Sequence, residues 1–333
     1  MSRIRSTMRS IGLALAGLSL GALAACGGGS GNTGGDAGQA SQASGAPVRI
    51  ALVNGFGSLP IHVADTMGFF KKHGVNAQVL ENTSTASFGP GLGKQFDFIL
   101  STPMDFLSAA AKGIDITAVS GMYVNSSKSP NNVLLTKNDS IKTIADLKGK
   151  RVGVVSQAGT SYGSTIYALD KAGVSKNDVT FVATPFATME DQMQAGNLDA
   201  AVYTAPYWSS SITKGFRIVE DIPFAVAGEG TPNAFFSSSS AYAKANPQVI
   251  QGFRDAMKEA VDWVNNNPDQ ARQQIVDWLK LPAPIVAQAP LPALDTSMTV
   301  EKLQPFVPIA QVSGQVTTPI PNLKTLIWSG GAT

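Results

Sequence analysis

Short apolar runs, each closed by a loop of glycine and hydroxyl residues and followed by a helical pattern, recur along this chain. The best-defined copy begins with the charged turn Asp146-Leu147-Lys148-Gly149-Lys150. It continues as Arg151-Val152-Gly153-Val154-Val155 and ends in Ser156-Gln157-Ala158-Gly159-Thr160-Ser161-Tyr162-Gly163. A valine-rich run of this length predicts a buried parallel strand. The loop leads into a helix predicted over 164–172. A small-residue loop at a helix start leaves backbone N–H groups free at the positive end of the helix dipole, where anions and hydrogen-bonding small molecules bind.

The same unit occurs three times before residue 113. Strands are predicted at Val48–Val53, Val75–Leu80, Phe96–Leu100 and Ile116–Gly121. Helices are predicted at Ile61–Phe70, in a short segment ending at Lys94, and at Met104–Lys112. Alternation of this kind makes an α/β protein with a mainly parallel sheet covered on both faces. A polar stretch, Tyr123–Asn132, then reads as a crossover into a second lobe. That lobe holds strands at Val133–Lys137, Arg151–Val155, Val179–Ala183, Ala200–Tyr203 and Phe216–Val219. Phe224–Gly230 crosses back, and helices follow at Pro247–Asn266, Pro268–Leu279 and Val300–Val312. The expected lobes are 48–125 with 227–333, and 126–226, joined by two crossover segments that form a hinge.

The N-terminal region supplies an address. Arg3, Arg5 and Arg9 precede an apolar run, Ile11–Leu23, too short to span a bilayer stably. Residues 1–25 read as a signal peptide. Leu23-Ala24-Ala25-Cys26 resembles the lipobox of bacterial lipoproteins, which implies lipidation of Cys26 and anchoring to a membrane rather than spanning it. Residues 26–47 are a Gly/Ser/Ala tether of roughly 25 Å root-mean-square reach. The formal net charge of +2 resides in the leader, so the body is close to neutral and lacks the electrostatic footprint of a nucleic-acid binder. Cys26 is the only cysteine and His62 and His73 the only histidines, which argues against a zinc site. No metal and no cofactor is expected.

In open parallel sheets the ligand lies beyond the carboxyl ends of the strands. That rule selects Ser58 and Leu59, Thr83–Thr85, Thr102 and Pro103, Thr160–Tyr162, and Tyr203–Trp208. Ser and Thr also cap helices wherever one starts. Five such loops on one side, shared between both halves, favour a cleft. Asn233 and Tyr207 complete the expected ligand set. No lysine or arginine falls in these loops, so helix ends and hydroxyls would hold an anion. Phe56, Tyr162, Tyr203, Tyr207, Phe235 and Phe236 are available to cover an organic body. Trp263 and Trp278 read as core, and Tyr207 and Trp208 as core or cleft.

Gly159-Thr160-Ser161-Tyr162-Gly163 matches the nucleophile elbow G-x-S-x-G between a strand and a helix. The hydrolase order needs a histidine later in the chain, and none follows His73. Hydrogen bonding to a ligand is the better role for Thr160 and Ser161, and no catalytic residue is assigned.

Several segments together resemble the solute-binding proteins of ABC transporters in the nitrate/sulfonate/taurine family. They are Gly68-Phe69-Phe70 before His73-Gly74-Val75, and Phe96-Asp97-Phe98 before Ser101-Thr102-Pro103. Ser140-Ile141 with Ala145–Val152 is the most specific; Ala195–Ala200 before Tyr203 and Pro206-Tyr207, Asn246-Pro247 and Asn267-Pro268-Asp269 complete the set. The resemblance covers about Val48 to Gln315. It implies a type 2 periplasmic-binding-protein fold, a monomeric body closing on a small-molecule ligand, and docking on an ABC permease. By position it implies that Ser58, Thr85, Thr102, Thr160, Ser161 and Tyr203 line the pocket. Many relatives carry an acid where this chain has Ala205, which lowers taurine and leaves simple sulfonates and aromatic acids. The reading is a lipid-anchored binding protein for a small organic anion. The alternatives are an enzyme on the same scaffold, either a serine hydrolase or a relative acting in pyrimidine synthesis, and a sensory lipoprotein.

Overall fold

The computed structural model describes residues 45–81 and 87–330. The signal peptide, Cys26, almost all of the tether, and Thr83–Thr85 lie outside the described residues.

Two five-stranded sheets carry the fold. The first contains β1 (Val48–Ala51), β2 (Ala77–Leu80), β3 (Phe98–Ser101), β4 (Thr117–Val124) and β10 (Pro232–Ser238), in the order β2-β1-β3-β10-β4. The second contains β5 (Asn132–Thr136), β6 (Arg151–Val154), β7 (Thr180–Ala183), β8 (Ala200–Thr204) and β9 (Arg217–Asp221), in the order β7-β6-β8-β5-β9. In each sheet the first three strands are parallel and the fourth is antiparallel to both its neighbours. The antiparallel strand is in both cases the one that follows a crossover from the other sheet. β10 goes unpredicted from sequence.

The two sheets repeat each other in detail. Arg49, at the start of β1, donates from its backbone N–H and from Nε to Asp97, which precedes β3, and its Nη1 reaches Lys94 O. Arg151, at the start of β6, makes the same contacts with Asp199 before β8, and its Nη2 reaches Gly196 O. Both pairs are separated by 48 residues. Each ion pair staples the start of an inner strand to the turn before its parallel neighbour.

Packing follows the period-2 alternation of the strands. Ile50, Phe98 and Phe236 face the helices Leu59–Thr66 and Pro247–Asn266, while Ala51, Ile99 and Phe235 face Pro103–Ala111 and Phe306–Val312. Phe235 and Phe236 are both wholly buried, on opposite faces of β10, so they are core residues and do not cover a ligand. Full burial of a phenylalanine contributes roughly 1.5–3 kcal/mol. In the second sheet Leu134, Val152 and Val202 face one core, and Val133, Leu135 and Ala201 the other.

Between the sheets the chain crosses at 125–131 and again before β10. The crossovers lie side by side: Asn125 N–H donates to Thr231 O, Gly230 N–H to Asn125 O, and Asn125 Nδ2 to Thr231 Oγ1. The helix expected over 164–172 starts earlier and covers Gly159–Lys171. The one expected over Val300–Val312 is two helices, Val300–Leu303 and Phe306–Val312, separated at Pro305, because proline cannot continue an intrahelical hydrogen-bond ladder.

Candidate functional site

A cavity of about 570 Å³ lies between the two sheets, within the range of small-molecule pockets. One wall is the turn Val53–Ser58 after β1, the end of β4 at Met122 and Tyr123, and Trp278 with Leu279 and Leu281. The other wall is Asn131, Phe186 and the turn Thr204–Tyr207 after β8. Gly57 permits the close approach of Tyr123, since a Cβ there would sit 2.6 Å from the tyrosine ring. A smaller hollow of about 170 Å³ adjoins, lined by Val154–Ser156 and Ala158–Tyr162, with Phe186 forming part of both walls.

The helix Gly159–Lys171 points its N-terminus into this smaller hollow. Gly159 adopts φ 79°, a left-handed conformation open to glycine at little cost. Its N–H donates to Gln315 Oε1 at 2.8 Å, and Gln315 Nε2 donates back to Gly159 O at 3.1 Å. The next N–H groups, of Thr160 and Ser161, find no acceptor among the described residues. N–H groups so placed, at the positive end of a helix dipole, are able to donate to an anionic group. Met104 N–H donates to Thr160 Oγ1 at 3.3 Å, so the helix Pro103–Ala111 touches the same spot.

The expected residues are distributed as follows. Ser58 lines the larger cavity but turns its hydroxyl back to Val53 O at 2.9 Å, while Leu59 is wholly buried in the core. Thr160, Ser161 and Tyr162 line the smaller hollow. Thr102 caps its own helix, accepting from Asp105 N–H and donating to Asp105 Oδ2 at 2.8 Å. Neither it nor the buried Pro103 lines either cavity. Tyr203 is buried, and its hydroxyl donates to Phe186 O at 2.8 Å. Burial pushes its phenol up to about 12. It stands behind the wall and holds Phe186 in place. Tyr207 is 40% exposed and stands in the cavity, with its ring stacked on Phe186 at 5.6 Å. Asn233 donates to Asn125 Oδ1 at 2.9 Å and belongs to the paired crossovers. Thr85 lies outside the described residues.

Several lining residues were not expected, Met122, Tyr123, Leu279 and Leu281 among them, and three more bear on the site's geometry. Trp278, read as core, faces the cavity. Phe186 follows a proline at a helix start and carries no sequence signal of its own. Asn131 sits in the polar crossover; Thr204 Oγ1 donates to its Oδ1 at 3.1 Å, which fixes the amide with Nδ2 unpartnered among the described residues. Trp208 is buried and donates from Nε1 to Asn131 O.

Among the described residues the lining of both cavities contains no lysine, arginine, histidine, cysteine or carboxylate. Carboxylates stand just behind it. Glu81 contacts Trp278 and Asn54. Asp221 accepts from Asn131 N–H at 2.9 Å, and burial pushes its pKa up to about 6. Farther from the lining, Asp105 beside Thr102 has its pKa raised by desolvation. Ser161 has no imidazole beside it, since His62 stacks on Trp278 and His73 pairs with Glu259.

Comparison with known proteins gives a consistent family. A protein of Escherichia coli (strain K12) named for aliphatic sulfonate binding is 29% identical over 160 residues, covering 46% of this chain and 47% of the relative. The match therefore spans about half the length of that relative. A Saccharomyces cerevisiae protein named 4-amino-5-hydroxymethyl-2-methylpyrimidine phosphate synthase THI11 is 26% identical over 66% of this chain and 67% of its own length. Among solved structures, the periplasmic aliphatic sulphonate binding protein SsuA from Escherichia coli superposes with a TM-score of 0.73, at 22% identity, over 86% of this chain and 93% of that one. The periplasmic nitrate-binding protein NrtA from Synechocystis PCC 6803 gives 0.57, at 17% identity, over 72% and 68%. The family described as NMT1/THI5 like matches residues 56–271. With two α/β lobes of matching topology and a cavity between them, the chain has the two-lobed architecture of the periplasmic binding proteins and belongs to the NMT1/THI5-like family.

Proposed function

We propose that this protein is the substrate-binding component of an ABC importer, exported, anchored through Cys26, and acting as a monomer that delivers a small organic anion to a membrane permease. The lobes are 48–125 with 227–333, and 126–226. The observation that carries the reading is a pair of hollows that share Phe186: a mainly apolar cavity between the sheets, and a smaller one lined by Thr160 and Ser161, whose N–H groups have no acceptor among the described residues. The apolar part of the ligand fills the first and its sulfonate or carboxylate caps the helix end in the second. Capture needs no chemistry, and the absence of any acid, base or thiol except tyrosine phenols from the described lining supports a carrier over an enzyme. The relative named for sulfonate binding supports the same ligand class.

The longer alignment with the yeast synthases favours pyrimidine chemistry as a second reading. A thermal-shift screen of the mature chain against alkyl and aryl sulfonates, aromatic acids, nitrate and pyrimidines separates the two. A ligand at 100 times its dissociation constant should raise stability by about 2.7 kcal/mol. Stabilisation by sulfonates or aromatic acids, with the compound recovered unchanged, is the expected result. Conversion of a bound pyrimidine, or no shift by any anion, contradicts it.

A further inference from the structure

We propose that Trp278 is the platform on which a flat ring of the ligand lies, and that Glu81 and His62 are the positioning residues that set its plane. The inference rests on the cleft being the ligand site, and it narrows the ligand to an aromatic ring bearing an anionic substituent.

Trp278 stands in the last turn of the helix Pro268–Leu279, half-buried, and lines the larger cavity. Two contacts fix its indole. Its Nε1–H donates to Glu81 Oε1 at 2.8 Å. The other oxygen of Glu81 accepts from Asn54 Nδ2 at 2.9 Å, so one carboxylate orients two lining residues. One indole face lies on the His62 imidazole, with centroids 4.4 Å apart and planes 13° from parallel. Burial lowers the pKa of His62, so that this stack is between neutral rings at pH 7. With its N–H engaged, Trp278 offers the ligand a π face and no hydrogen bond.

Across the cavity the second lobe presents a ring held in the same manner. Tyr207 stacks on Phe186 with planes 21° apart, and Phe186 is held by the Tyr203 hydroxyl on its carbonyl. Each lobe thus contributes one aromatic plane whose orientation is set by contacts behind it. An alkyl chain gains only area burial from such walls, whereas a ring also gains stacking. Each stacking face is expected to favour the ring by about three- to tenfold. Among the ring's substituents, an anion gains most from the N–H groups of Thr160 and Ser161, because the helix dipole adds to the hydrogen bonds.

The test uses the mature chain, with benzenesulfonate as ring-bearing probe and ethanesulfonate as ringless probe, followed by titration calorimetry and tryptophan fluorescence. Benzenesulfonate is expected to bind at least about tenfold tighter and to change a fluorescence signal that Trp278→Leu abolishes. Trp278→Leu should weaken benzenesulfonate at least about fivefold more than ethanesulfonate. Glu81→Ala should give a smaller loss with the same probe selectivity. Glu81→Gln, which keeps an acceptor for the indole N–H, should restore most of it; a merely structural role would not distinguish the probes. Should Trp278→Leu fail to fold, Trp278→Phe, with a smaller platform, should lose part of the ring preference. Equal affinity of the two probes, an equal loss for both in the variants, or no binding of benzenesulfonate overturns the platform. Binding of ethanesulfonate alone does so while leaving the carrier reading intact; if neither probe binds, both fall.

Discussion

Asp221 shows how a single side chain can be tuned against the stability of the fold. Its carboxyl is held near the paired crossovers with one oxygen, Oδ1, buried and unpartnered. Burial pushes its pKa up to about 6 from an ordinary 3.8, with Glu220 adding like charge. The folded state therefore binds a proton that the unfolded state has released between about pH 4 and about pH 6, and stability contributed by Asp221 falls as pH rises through that window. Asp221→Asn keeps an acceptor for Asn131 N–H and removes the charge. Urea unfolding should show a gain of about 1–3 kcal/mol at pH 7.5 and almost none at pH 4. His62 runs the other way: its lowered pKa means that stability is lost as pH falls below the ordinary 6.5. Both groups lie behind the cavity wall, so their titration bears on the shape of the site as well as on the fold.

At the scale of elements, the two Arg–Asp staples invite direct comparison. Asp97 is almost fully buried against Arg49, whereas Asp199 and Arg151 are more open to water. Breaking the buried pair leaves an Arg49 guanidinium without its partner, while solvent takes over at the other. Asp97→Asn should cost about 2–4 kcal/mol and Asp199→Asn under about 1.5 kcal/mol, measured by chemical denaturation. The alternating units that contain these staples are legible in the sequence, because apolar runs such as Arg151–Val155 end in small polar loops whatever the lobe. Other elements are not. β10 is buried on both faces, so Phe235-Phe236 followed by four serines shows no alternation, and Gly230 before it with Pro232 at its start reads as a turn. The helix at Gly159 begins inside a stretch of glycine and hydroxyl residues that propensity assigns to a loop; tertiary contacts with Met104 and Gln315 secure its first turn. Trp278 occupies an apolar position of an amphipathic helix, and only the stack on His62 and the bond to Glu81, both distant in sequence, turn it from a core residue into a wall. Ser161 and Tyr207 were reachable from the strand-end rule alone; Phe186 and Asn131 depend on how the lobes meet.

The whole molecule is a pair of similar sheets joined by two hydrogen-bonded crossovers, with a second point of contact far along the chain. Gln315, from the C-terminal region, grips Gly159 through both its amide donor and its acceptor. Gly163 lets this happen, since a Cβ there would sit 2.5 Å from Gln315 Nε2. Gln315→Ala removes both hydrogen bonds and should lower stability by about 1–3 kcal/mol, read from the shift of the urea midpoint at unchanged slope. A change of slope instead would mean that the two lobes no longer unfold together. The central claim is that one solute bridges these lobes, its flat part between Tyr207 and Trp278 and its anionic end on Thr160 and Ser161. A crystal structure of the mature protein grown with the tightest-binding sulfonate or aromatic acid tests this most directly. Density in the inter-sheet cavity, with an anionic oxygen within hydrogen-bond distance of the Thr160 or Ser161 N–H, is the predicted result; a saturated complex whose ligand lies on one lobe alone, away from Phe186, contradicts it.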